Sequence, residues 1–268
     1  MIATDYEFAF SWGGSGTGAG QFEVPKGITV DERISAIYVS DWINCNVQKF
    51  TLNGEYLGEI GIPKSNLPEG IGRPGGLAVD SQGYLYVADY GNKCVKKFDS
   101  NGNFITILNP GRQTEDVGVD KNNYVYILAW QQYIDVYSPQ GDFVRTWNLD
   151  NQYRSTSIDV DRDGFVYASY GMTANIVDKY TNEGERVARW NTSAVVQDIY
   201  VDALNYIYLS EIDFTYRIVK LDPSWNFICE VIWPSGYYPQ GSTTDKNGYL
   251  YVATQYQRSV RVYRPIFR

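Results

Sequence analysis

The chain has 268 residues, including 7 Trp, 24 Tyr and 11 Phe, and it contains no histidine. The missing imidazole excludes zinc hydrolases with histidine ligands, Ser-His-Asp hydrolases, Cys-His proteases and any histidine general base, leaving carboxylate, Tyr or Lys chemistry, or none. With 23 basic and 31 acidic side chains the net charge is −8, and no Lys/Arg run appears, so nucleic acid is not an expected partner.

No stretch approaches the roughly 20 apolar residues of a membrane helix, and Met1 to Trp12 lacks the basic start and apolar run of a signal peptide. The expectation is a soluble monomer without a membrane partner. If the chain is part of a longer protein, an extracellular or cell-surface setting is favoured. Cys45, Cys94 and Cys229 are an odd set, so at least one is unpaired within a monomer. The sequence leaves open whether Cys45 and Cys94 meet; three free thiols are expected.

In chain order the first element is a strand, Tyr6 to Trp12. A phrase that recurs along the whole chain follows it. Its first copy runs Gly27 to Asp31, Ile37 to Asp41 and Val47 to Phe50, three short Val/Ile/Tyr-rich strands, then the hairpin signal Asn53-Gly54 and a fourth strand. After an insertion, Ile62 to Ile71, the second copy runs Gly76 to Asp80, Leu85 to Asp89 and Val95 to Phe98, with Asn101-Gly102 at the same hairpin. Counted by the Asp closing the first strand, copies fall at Asp31, Asp80, Asp120, Asp161, Asp202 and Asp245, in steps of 49, 40, 41, 41 and 43. The second-strand Tyr series, Tyr38, Tyr86, Tyr126, Tyr167, Tyr208 and Tyr251, keeps nearly the same steps.

Later fourth strands, Phe143 to Trp147 and Arg186 to Trp190, complete the pattern of four antiparallel strands per repeat of about 40 residues, a propeller blade. The sixth copy ends soon after Tyr263 without a fourth strand, while the N-terminal strand is surplus; its Phe8 and Trp12 keep the spacing of Phe143 and Trp147. The predicted fold is therefore all-β, a six-bladed propeller forming a single domain over 1–268, closed by the N-terminal strand completing the last blade. The marker Asp residues are read as turn caps. The second-strand Tyr residues, with Phe50, Phe98, Tyr137, Tyr180 and Tyr263, are read as core.

The segments Gly18 to Asp31 and Tyr86 to Gly102 resemble the NHL-repeat propeller family. Copies one and two match closely, copy six moderately, and copies three to five in skeleton. Where NHL repeats usually carry Arg before the third strand, this sequence has Asn46, Cys94 and Ser259, so no Arg-dependent contact carries over. The resemblance implies fold more than function. Amidating and streptogramin lyases of similar fold rely on histidines absent here, and RNA-binding NHL domains use a basic face.

Function in such a ring is expected on the loops around one channel mouth. The residue after each second strand is Trp42, Tyr90, Trp130, Tyr170, Ile212 and Gln255, with Phe214, Tyr216 and Tyr256 nearby. Two readings stand: these rings wedge between blades, or they form a flat aromatic face that grips a glycan or peptide with Asn44, Asn92 and Gln131 as hydrogen-bonding partners. The leading expectation is the second, a non-enzymatic recognition module without cofactor. The alternative is a lactonase-like hydrolase, similar to the gluconolactonase group, with Glu115, Asp116 and Asp198 converging on a Ca²⁺ or Mg²⁺ ion at the channel. A third reading is a scaffold domain of a larger surface protein.

Overall fold

The computed structural model describes residues 2–108, 111–130, 132–149, 153–171, 174–213, 215–233 and 236–267, which form strands and turns and no helix. Six four-stranded antiparallel sheets stand around a central channel. Their innermost strands are Pro25–Asp31, Pro74–Val79, Thr114–Val119, Ser157–Val160, Val195–Val201 and Pro239–Thr244. Each of these contacts the next around the ring, and the last contacts the first. The insertion after blade one adds a short parallel pair, Ile62–Pro63 with Gly70–Ile71.

The ring closes as its sequence predicts. Asp5–Gly13 is the outermost strand of blade six, pairing with Ser259–Ile266 so that Phe8 lies opposite Tyr263 and Trp12 opposite Val260. Without it, the Ser259–Ile266 strand would present an unpaired edge.

In blades two to six the two repeat markers are bonded to each other. Asp80 Oδ1 accepts the amides of Gln82 and Tyr84, while its Oδ2 accepts the Tyr86 hydroxyl at 3.0 Å. Blades three to six repeat the link between Asp120 and Tyr126, Asp161 and Tyr167, Asp202 and Tyr208, and Asp245 and Tyr251. These five tyrosines and Tyr38 of blade one are buried, as are Phe50, Phe98, Tyr137, Tyr180 and Tyr263. Apolar packing runs between blades: each core joins the second and third strands of one blade to the first and second of the next, as in the cluster of Leu128 and Ile134 with Ile158 and Val160. The hairpin glycines Gly54, Gly102, Gly141 and Gly184 sit at φ 85–91°, a conformation that disfavours side chains, which is why Gly punctuates these turns. Cys45, Cys94 and Cys229 are free thiols.

Candidate functional site

Antiparallel pairing places the start of each innermost strand beside the end of the second, as Pro25 lies opposite Asp41 and Thr114 opposite Ala129. The residues that follow the second strands therefore surround the same channel mouth as the residues that open the first. Trp42, Tyr90 and Trp130 form a continuous arc there over blades one to three, with ring centroids 5.1 Å and 6.3 Å apart. Trp42 and Tyr90 are half-buried, and Trp130 is 38% exposed.

Two cations lie against this arc. The Lys26 ammonium sits 4.4 Å from the Trp42 ring centre and the Arg154 guanidinium 4.8 Å from that of Trp130, within the range of cation–π attraction. Glu115 joins them, with Arg154 Nη2 at 2.7 Å and Lys26 Nζ at 4.0 Å. Burial lowers the Lys26 pKa, opposed by the carboxylates of Glu115 and Asp116. Across the mouth Tyr216, Tyr238 and Tyr256 make a second arc, with centroids 5.8 Å and 5.4 Å apart. The Tyr238 hydroxyl reaches Gln197 Oε1 at 3.5 Å.

The remaining expected contacts fall elsewhere. Tyr170 is fully buried, its hydroxyl 2.8 Å from that of Tyr180, so it is packing and does not extend the exposed arc. Asn44 Nδ2 donates to the Gly16 carbonyl, and Asn92 Nδ2 to the Ser65 carbonyl and Asp89; both amides fasten loops. Phe214 and Gln131 lie outside the described residues.

One layer deeper, the residues four places before the marker Asp make a tight ring: Gly27, Gly76, Asp116, Ser157, Asp198 and Gly241. Its carboxylates zip neighbouring blades. Asp116 Oδ2 accepts the Ser157 hydroxyl at 2.7 Å and the Ile158 amide at 2.9 Å, while Oδ1 accepts the Val117 amide. Asp198 Oδ1 lies 2.9 Å from the same Ser157 hydroxyl, and Asp198 Oδ2 accepts the Ser242 amide. Gly76 makes room for this arrangement, since a Cβ there would lie 1.5 Å from Asp116 Oδ1. Burial raises the pKa of both carboxyls, and that of nearby Asp159 to about 7.

Glu115, Asp116 and Asp198 do line one small pocket, with Lys26 among the same lining residues. That donor set fits a divalent cation poorly. The Asp116 and Asp198 oxygens are engaged by amide and hydroxyl donors, and Lys26 supplies positive charge beside them. Among the described residues no group of three or more His, Cys, Asp or Glu is arranged to hold a metal ion.

Residues 72–98, spanning the first three strands of blade two, match the family model described as NHL repeat. Together with six blades in a closed ring, that match supports an NHL-repeat propeller. No curated protein matches the propeller in sequence. Among solved structures, a streptogramin B lyase aligns at TM-score 0.69 and 13% identity over 97% of this chain and 98% of that one. A gluconolactonase from Xanthomonas campestris aligns at TM-score 0.71 and 13% identity, over 92% and 88%. Virginiamycin B lyase from Staphylococcus aureus aligns at 0.66 and 14%, over 98% and 100%. At such identity the likeness concerns the fold.

Sequence reasoning missed Arg154 at the propeller's mouth. It lies in the loop between blades three and four, where no repeat position marks it, and only the folded ring brings it over Trp130.

Proposed function

We propose that this propeller is a non-enzymatic recognition module that binds a glycan or peptide across its aromatic mouth. The observation that carries the reading is the Trp42, Tyr90 and Trp130 arc, with Lys26 and Arg154 held against its outer rings. A contiguous, partly exposed aromatic surface of this kind needs an explanation that a lone exposed ring does not. Flat rings stack on sugar faces or peptide side chains, and Lys26, Arg154 and Glu115 supply hydrogen bonds of both polarities at the edge. An extracellular or cell-surface setting and a monomeric state accompany this reading.

Binding to glycan and peptide arrays tests it. The wild-type chain should retain a defined ligand set, and Trp42→Ala or Trp130→Ala should abolish it while leaving the fold intact. Equal binding by both variants would sink the proposal. If no ligand binds the wild type, the scaffold reading takes its place.

A second reading, a divalent-cation-dependent lactonase-like hydrolase, draws support from the shared pocket of Glu115, Asp116 and Asp198 and from the fold of the gluconolactonase relative. It requires the carboxylates to release their present hydrogen bonds. Metal-stimulated hydrolysis of a sugar lactone that Asp116→Asn abolishes would favour it.

A further inference from the structure

Five innermost strands carry aliphatic residues three places and one place before the marker Asp: Ile28 and Val30, Leu77 and Val79, Val117 and Val119, Ile158 and Val160, Ile199 and Val201. Each pair packs into the core shared with the preceding blade. Blade six breaks the rule with Ser242 and Thr244. The core between blades five and six therefore lacks both aliphatic plugs, and the rings of Tyr6, Tyr200 and Tyr206 pack against it instead.

A cavity of about 720 Å³ occupies the channel on the side of the marker Asp residues, beyond the constriction ring, and it reaches into this seam. Ser242, Thr244, Tyr6, Tyr200, Tyr208 and Lys220 line it there. Ser242 is 3% exposed, yet its hydroxyl has no hydrogen-bond partner. A buried hydroxyl left unpaired costs stability, and a ligand oxygen that reached it would recover that cost. Around it the Tyr200 hydroxyl lies 3.1 Å from Thr244 Oγ1, and the Tyr6 hydroxyl 3.2 Å from that of Tyr208. Lys220 Nζ donates to the Ala3 carbonyl at 3.1 Å, which leaves its ammonium further donors. At the outer end of the cavity, the exposed apolar side chains of Ile2, Leu204 and Phe267 line the wall.

The geometry points to a second binding site in this seam, for a small neutral cyclic compound carrying a hydroxyl or carbonyl oxygen. Tyrosine rings and the aliphatic channel wall take the apolar body, and Ser242 with Lys220 takes the oxygen. A neutral ligand suits this lining, because Lys220 opposes cations while Asp202, which lines the same cavity, opposes anions. The volume is of drug-ligand size, so a molecule of one or two rings fits within it. This site is separate from the aromatic mouth and does not rest on its proposed role.

Phenol, which has one ring and one hydroxyl, serves as the probe, followed by titration with saturation-transfer NMR on the full chain. The wild type should bind it saturably. Ser242→Val restores the repeat's own pattern, so it should weaken phenol binding at least tenfold and raise Tm by about 2–4 °C through apolar packing of the seam. Trp42→Ala should leave phenol binding unchanged. Absence of saturable binding by the wild type, equal binding by Ser242→Val, loss of binding in Trp42→Ala, or a lowered Tm in Ser242→Val would each overturn the proposal.

Discussion

Asp116 and Asp198 reach the same hydroxyl: Ser157 Oγ lies 2.7 Å from Asp116 Oδ2 and 2.9 Å from Asp198 Oδ1. A serine has one hydroxyl proton, so it donates to one carboxylate and pairs with the other only when that group is a carboxylic acid. The channel ring is thus built to hold a proton, in keeping with the raised pKa that burial gives both carboxyls.

Asp159 makes this measurable. Burial lifts its pKa from 3.8 to about 7, so between those values the folded chain keeps a proton that the unfolded chain releases. A folded state that binds more protons loses stability as pH rises, so this contribution is present below about pH 4 and lost on passing through pH 7. Denaturant unfolding of wild type and Asp159→Asn across pH 4.5 to 8 should show a steeper fall in the wild type. Parallel curves would remove the claim.

Asp41 and Asp89 clasp the mouth loops of blades one and two. Asp41 accepts the amides of Glu23, Ile43 and Asn44 at 2.6 to 3.0 Å, and Asp89 those of Gly72, Arg73 and Asn92. Each carboxylate thereby satisfies several donors at once. Asp41→Ala and Asp89→Ala should each cost about 3 kcal/mol or more of unfolding free energy, since buried donors lose their acceptor at roughly 1–3 kcal/mol apiece. Equilibrium denaturation checks the cost.

Closure across the termini is tested by Trp12. Its ring packs 5.7 Å from Phe50 and 6.4 Å from Tyr251, the position Trp147 holds over Tyr126 at 6.3 Å. Trp12→Ala and Trp147→Ala should therefore cost alike, about 3 kcal/mol each. A negligible cost at Trp12 beside a large one at Trp147 would mean that the N-terminal strand is loosely attached.

The ring was legible because its markers are physically coupled: an Asp that caps its own turn also accepts the hydroxyl of the Tyr on the neighbouring strand, so the two recur at one period. Blade closure was legible for a related reason, since Phe8 and Trp12 repeat a spacing used by other outer strands. The site was only partly so. Trp42, Tyr90 and Trp130 do gather at one mouth, but Tyr170 holds the same repeat position and is buried by Tyr153 and Tyr180, because neighbouring loops decide exposure and periodicity does not report them. Asn44 and Asn92 read as free amides until the loops they fasten were in place. The change to Ser242 and Thr244 is visible in the sequence as a lapse in pattern, but its meaning depends on the cavity behind it.

Ligand binding by the wild-type chain and by Trp42→Ala and Trp130→Ala, run beside a metal-supplemented lactone hydrolysis assay with Asp116→Asn, tests the recognition reading most directly. The predicted result is glycan or peptide binding lost in both tryptophan variants and retained in Asp116→Asn, with no lactone turnover above background. Lactone turnover that depends on added Ca²⁺ or Mg²⁺ and vanishes in Asp116→Asn, with the tryptophan variants unaffected, would contradict it.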